Sequence, residues 1–238
     1  MADLGHRVIA VAGAAGGLGP VVCRRLAAAG ATLACTDVAA ERLDALAAEL
    51  DLPDTRFEAA AVDLLDEDAA RGWADRVVDR FGRVDGLLHL VGGWRGGEPL
   101  AETSLADYAW LHDLLVRTLQ HATRAFYAPL AASEHGRFVL VSSSQAQHPD
   151  GTNASYAAAK AAAEAWTLAL ADSFGADGSK ATANVVVVNA ILTEAMREQN
   201  PGATFRTFTP AEHVAEAIAF LCSDAADWMN GKRLPVYP

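Results

Sequence analysis

Tyr156 and Lys160 stand four residues apart in the run Ser155-Tyr-Ala-Ala-Ala-Lys160, and on a helix that spacing sets a phenol beside an ammonium. A free tyrosine titrates near ~10 and is a poor base at neutral pH, whereas an adjacent cation favours the phenolate. Lys160 is therefore expected to pull the phenol down and make a proton-transfer pair. The alanine-rich stretch from Ala154 to Ser173 contains no proline, which predicts the helix that carries the pair. The spacing alone also occurs on solvated helix faces, so its meaning depends on company. Ser143 provides some: it lies thirteen residues before Tyr156, at the end of the apolar run Arg137-Phe-Val-Leu-Val-Ser-Ser-Ser144, although serines at strand ends often only satisfy backbone groups.

A second constellation lies at the front. The apolar run Val8-Ile-Ala-Val-Ala12 reaches Gly13-Ala-Ala-Gly-Gly17-Leu18-Gly19, and an amphipathic segment begins at about Pro20. This reads strand, glycine turn, helix, the arrangement in which backbone amides and a helix dipole meet a pyrophosphate. Some eighteen residues on, Asp37 closes the run Ala31-Thr-Leu-Ala-Cys-Thr36, where an acid binds the ribose hydroxyls of NAD. Its carboxylate repels a 2′-phosphate, so NAD(H) is expected over NADP(H). Arg24 and Arg25, on the first predicted helix, keep NADP(H) open.

These residues need a frame. Hydrophobic patterning predicts strands at 7–12, 31–36, 56–62, 85–91, 137–142, 182–190 and 233–236. Helices are predicted at 18–29, 40–50, 66–81, 104–131, 154–174 and 210–222. Strict alternation with nearly continuous apolar strands implies an α/β single-domain Rossmann fold spanning 1–238: a doubly wound parallel sheet of about seven strands, helices on both faces, ligands at the carboxyl ends of the strands. A length of 238 residues suits one such domain. The net charge of −11 and the lack of Lys/Arg runs argue against a nucleic-acid partner. No apolar stretch long enough for a membrane span and no secretory leader is read, so a cytoplasmic protein without a membrane partner is expected. Cys23, Cys35 and Cys222 lack metal-ligand spacing and sit in apolar contexts, which predicts buried free thiols and no metal.

The ordered set Gly13, Gly17, Gly19, Asp37, Ser143, Tyr156 and Lys160 resembles the short-chain dehydrogenase/reductase family over nearly the whole chain. The resemblance implies an NAD(P)(H)-dependent oxidoreductase interconverting a carbonyl and an alcohol on a small molecule. Ser143 would orient the substrate oxygen and Tyr156 act as acid/base, with Lys160 lowering its pKa and binding the nicotinamide ribose. Asp63, ending the third strand, would touch adenine or else cap the next helix. Gly92 and Thr193 would border the cofactor, and the helices 104–131 and 154–174 would build a homodimer or homotetramer.

Several features depart from the family pattern. After the fourth strand the chain reads His89-Leu-Val-Gly92 in place of Asn-Asn-Ala-Gly, and His89 reads best as a core histidine. The Val91-Gly-Gly-Trp94-Arg95-Gly-Gly97 run resembles dihydropteridine reductase, as does Phe205-Arg-Thr-Phe-Thr-Pro210 more faintly. Trp94, Arg95, Phe205 and Phe208 are thus candidate substrate-pocket residues, and 194–209 a candidate mobile lid. The helix asparagine that holds a relay water in the family is replaced by Leu115, with Asp113 nearby as a substitute. The loop after Leu192 is about five residues short. The alternative function is a catalytically weakened dinucleotide-binding sensor or partner protein of the same fold.

Overall fold

The computed structural model describes residues 2–237. Seven parallel strands are ordered β3-β2-β1-β4-β5-β6-β9: β1 (Val8–Ala12), β2 (Thr32–Asp37), β3 (Phe57–Ala61), β4 (Gly86–His89), β5 (Arg137–Ser143), β6 (Thr182–Val188) and β9 (Arg233–Pro235). The register runs Val8↔Thr32 on one side of β1 and Ile9↔Gly86 on the other. The strand order reverses between β1 and β4, so their carboxyl ends open a crevice there.

Period-two alternation divides the core. Ile9, Val11, Leu88, Val139 and Val186 face one layer with α1 (Gly19–Ala28), α2 (Ala40–Leu50) and α8 (Ala211–Leu221). Ala10, Leu87, Phe138 and Val185 face the other, with α3 (Glu67–Phe81), α5 (Thr118–Ala132) and α6 (Ala154–Ala176). Within that second layer Trp73 meets Phe126 edge-on at 4.7 Å. Each such fully buried side chain contributes about 1.5–3 kcal/mol, which the glycine-rich turns at the strand ends do not.

Buried polar groups fix the frame around this apolar packing. Asp85 accepts from Val8 N at 2.9 Å, Ser133 Oγ at 2.6 Å and Arg83 Nη2 at 2.6 Å, tying the lower ends of β1 and β4 to the turn before β5. Glu164 of α6 takes Arg233 of β9 in a two-pronged ion pair at 2.7 and 3.2 Å, which sets the helix bearing Tyr156 and Lys160 against the sheet. Cys23, Cys35 and Cys222 are free and buried, as their apolar contexts predict.

The predicted spans are met within a few residues, with two differences. The 104–131 helix is interrupted: α4 (Leu105–His112) passes into a π-helical turn, Asp113–Arg117, before α5. The region expected as a lid carries structure of its own, since β7 (Ala190–Leu192) pairs with β8 (Phe208–Pro210) around α7 (Glu194–Gln199). Short three-residue strands give weak periodic signals, so pattern reading passes over them. Among the described residues no helix is long and apolar enough to cross a membrane.

Candidate active site

At the strand ends beside the β1/β4 reversal opens a cavity of about 670 Å³. Gly13, Gly17, Asp37, Tyr156, Lys160 and Thr193 all line it, so the fold brings the front and rear constellations together.

The glycine turn is shaped by two requirements. Gly13 has φ +79°, and a Cβ there would come within 2.8 Å of Val91 N, so β1 and the segment after β4 approach too closely for a side chain. Gly17 differs. A Cβ there would meet nothing nearer than Thr193 Cγ2 at 3.8 Å, so the packed chain does not itself require glycine at this position. What its absent side chain keeps open is the space before the start of α1, whose N-cap residue Leu18 also borders the cavity.

Asp37 ends β2 with its carboxylate accepting from Ala15 N and Ala39 N, both at 3.2 Å. Arg42 lies 3.8 Å away and also lines the cavity. Arg24 and Arg25, the basic residues singled out from sequence, are instead engaged by Glu49 and Glu216 and do not line it. Asp63 lines the cavity and accepts from Leu65 N at 2.9 Å in a local turn. The helix-cap role belongs to Asp66, which takes Asp68 N and Ala69 N, so the cap reading of Asp63 is corrected.

At the other end, α6 presents Tyr156 and Lys160 one turn apart. Lys160 Nζ is buried and donates to Val141 O at 2.9 Å, while lying 5.9 Å from the Tyr156 ring centroid. Burial pushes its pKa down to about 8, opposed by the charge of Glu164. The expected depression of the tyrosine is reversed in this state: burial raises the phenol, and the Ser143 hydroxyl only partly counters it. The reason is collective desolvation, which penalises the phenolate more than local spacing suggests. Ser143 Oγ also accepts from Gln145 N at 3.2 Å.

The remaining sequence candidates separate. Trp94 and Gly92 line the cavity, and Trp94 Nε1 is tied to Asn153 Oδ1 at 2.9 Å, joining the segment after β4 to the one before α6. Arg95 is drawn off to Asp107 at 2.7 Å and onto the Trp110 ring at 3.9 Å, outside the cavity lining. Phe205 and Phe208 pack edge to face at 5.3 Å and likewise do not line it. Thr193 lines the cavity and caps α7 through Met196 N at 3.3 Å. Leu115 is buried in an apolar cluster with Tyr156 packed against it, and Asp113 faces outward against Arg117 at 3.3 Å, so neither offers a polar group to the cavity.

Sequence reasoning missed Arg42, Ser142 and Thr118, all cavity-lining. Ser142 was legible in the triple serine, but strand twist and register decide that it lines the cavity while Ser143, the serine singled out from sequence, sits buried behind the wall with its hydroxyl acting on Tyr156. The buried Ser142 Oγ has no partner among the described residues. A cavity with an unpartnered buried hydroxyl at one end, a helix start with a clear approach and an acid at the β2 terminus fits a dinucleotide.

Comparison with known proteins agrees with that fit. The family described as enoyl-(acyl carrier protein) reductase matches residues 13–236. Meso-2,3-butanediol dehydrogenase of Serratia marcescens is 30% identical over 97% of this chain and 93% of its own length. A solved short-chain dehydrogenase/reductase from Brucella melitensis, described as a glucose/ribitol dehydrogenase, superposes with a TM-score of 0.86 at 27% identity, covering 99% of this chain and 96% of the other. The fold is shared with an NADPH-bound short-chain oxidoreductase of Pseudomonas aeruginosa PAO1 that contains an atypical catalytic center, at a TM-score of 0.90, 24% identity, and 99% and 97% coverage. With a family match across almost the whole chain and a relative aligned nearly end to end, on a seven-stranded parallel sheet, this protein belongs to the short-chain dehydrogenase/reductase family of oxidoreductases.

Proposed function

We propose that the protein is an NAD(H)-preferring reductase or dehydrogenase that interconverts a carbonyl and an alcohol on a small molecule. The observation that carries this reading is the buried Lys160 fixed to Val141 O beside Tyr156, both lining the cavity that Asp37 closes at its far end. When bound, the nicotinamide cofactor supplies or accepts the hydride. Tyr156, its phenol raised by burial and so protonated at neutral pH, gives its proton to the substrate oxygen in reduction. Ser143 orients that oxygen. Lys160 holds a positive charge against the developing phenolate, which favours proton release, and it binds the nicotinamide ribose.

Gly13, Gly17, Leu18 and Gly19 cradle the pyrophosphate, Asp37 binds the adenosine ribose, Asp63 borders adenine, and Gly92 and Thr193 border the nicotinamide. Trp94 walls the substrate end. Arg42, 3.8 Å from Asp37, is the one cation lining the adenosine end among the described residues, and it provides what affinity for NADPH the site retains. The enzyme works in the cytoplasm as a homodimer or homotetramer, supported by the exposed apolar positions on the α4 and α6 helices, among them Leu105, which is 79% exposed.

Calorimetric titration with NADH and NADPH, followed by Tyr156→Phe, tests this reading. Micromolar NADH binding, weaker NADPH binding and loss of turnover by about 10²–10⁴-fold in the variant are expected. Turnover that survives the substitution would leave the sensor reading, in which the dinucleotide is bound and no proton is passed.

A further inference from the structure

The edge of the sheet opposite the strand carboxyl ends holds a second cavity, of about 610 Å³. It opens where three turns meet at the amino ends of parallel strands: the turn before β5, the turn before β6, and the segment from Asp224 to Asn230 that leads to β9. Arg137 and Thr182 begin β5 and β6, are partners in the register Arg137↔Thr182, and both line this cavity. Partners on adjacent strands send their side chains to the same face of the sheet.

Arg137 is 2% exposed and Thr182 4% exposed. Arg137 Nη1 donates to Gly136 O at 2.8 Å and Lys180 O at 3.4 Å, and these are the hydrogen bonds of the guanidinium among the described residues. Nε and Nη2 form its other edge, the one that presents two parallel N–H groups to a pair of oxygens. Nε is buried with no partner among the described residues, and so is Thr182 Oγ1. A buried cation and a buried hydroxyl are both costly without an acceptor or donor to meet them.

The acids nearby are engaged elsewhere. Asp224 pairs with Arg7 at 2.5 Å and His135 at 3.2 Å, and Glu134 pairs with Lys180 at 2.5 Å. Asp227 lines the cavity too, but acts on Arg137 only through its charge. Burial, and then the charge of Arg7, lower the Arg137 pKa against the pull of Asp224 and Asp227, so the two acids compensate the guanidinium incompletely. Exposed side chains of Lys180, Asp224 and Trp228 form the rim, so a ligand enters by a shift of surface groups and not of the core.

We infer that this cavity is a second ligand site, for a small oxyanion: the Nε and Nη2 edge of Arg137 takes two oxygens of a phosphate or carboxylate group, and the Thr182 hydroxyl donates to one of them. A free phosphate ion and the phosphate or carboxylate of a small metabolite present the same oxygens. The site is independent of the hydride chemistry, because Arg137 and Ser143 are opposite ends of a seven-residue strand, roughly 20 Å apart.

Calorimetric titration of the full chain with inorganic phosphate, glycerol 3-phosphate and acetate, without NADH and then with NADH saturating, tests the site. At least one anion is expected to bind once per chain with a Kd of about 1 mM or below, and NADH should leave that affinity within twofold. Arg137→Met should weaken binding at least tenfold and Thr182→Val, which keeps the shape, about threefold or more. Asp227→Asn should tighten it, since a like charge leaves the cavity. Phosphate stabilises proteins in general by exclusion from their surface, so the specific effect is the larger rise in Tm of wild type over Arg137→Met. Should Arg137→Met fail to fold, Thr182→Val and Asp227→Asn carry the test. Tighter binding of glycerol 3-phosphate than of phosphate assigns the site to a metabolite, the reverse order to the free ion, and acetate alone to a carboxylate; each upholds the inference. No binding of any of the three would overturn it, as would affinity unchanged in Thr182→Val and Arg137→Met. A Tm lowered by Asp227→Asn in buffer free of these anions would make Asp227 the partner of Arg137 and overturn it as well.

Discussion

Replacing Gly17 by alanine should separate the glycine turn's role in binding from its role in folding. Gly17 has no positive φ to lose, and the added Cβ would meet only Thr193 Cγ2 at 3.8 Å, an ordinary contact. A glycine replaced by alanine in a compatible conformation stabilises by about 0.4–1 kcal/mol through the unfolded chain. For a chain of this size that is a rise in Tm of about 1–4 °C. The same substitution at Gly19 puts Cβ 2.1 Å from Ala14 O and 2.4 Å from Ala14 C, a backbone collision with no flexible group to yield. It should cost about 3 kcal/mol or more, and Tm should fall by about 6 °C or more. Binding should run the other way. In Gly17→Ala the methyl occupies the approach of the pyrophosphate to the start of α1, and NADH affinity should fall at least tenfold, about 1.4 kcal/mol. Thermal melts of both variants with and without NADH, together with calorimetric titration of Gly17→Ala, read these effects. A Gly17→Ala protein that binds NADH like the parent, or one that unfolds like Gly19→Ala, would refute the assignment of that space to the cofactor.

Three further outcomes follow from the same geometry. Asp37→Ala should narrow or reverse the preference for NADH over NADPH, because Arg42 then loses its neighbouring carboxylate; Asp37→Ala with Arg42→Ala should bind both weakly, and titration of the two variants decides it. Arg233→Ala strands the buried Glu164 carboxylate and should lower stability by about 3 kcal/mol in urea unfolding, whereas an unchanged midpoint would show the pair to be neutral in effect. Lys160 titrates near 8 when folded against an ordinary 10.5, so between those values the unfolded chain holds more protons and stability rises with pH. The gain is at most about 3 kcal/mol, and the difference between wild type and Lys160→Met across pH 8 to 10.5 isolates it; a difference that does not change with pH would contradict the depressed value.

What the amino-acid order determined alone is what local spacing determines. Strand-and-helix alternation followed from period-two apolar runs and from the alanine-rich stretch that became α6. The turn from Gly13 to Gly19, the acid eighteen residues later and the four-residue step from Tyr156 to Lys160 are short-range relations, and the structure keeps them all at one cavity. Tertiary packing decided everything that depends on which distant group competes for a side chain. Arg95 follows a strand end, as a pocket residue should, yet Asp107 and the Trp110 ring hold it elsewhere. Phe205 and Phe208 satisfy each other. Arg42, in the first turn of α2, lines the cavity beside Asp37, while Arg24 and Arg25 met acids from other elements. Counting along the helix led to Leu115, which is buried with Tyr156 packed against it, while the polar group from this segment that lines the cavity is Thr118, just after the π turn and beside a histidine nearly thirty residues earlier in the chain. The protonation of Tyr156 likewise escaped its neighbour at position 160, because desolvation sums over every element that closes around the phenol, and no spacing along the chain encodes that sum.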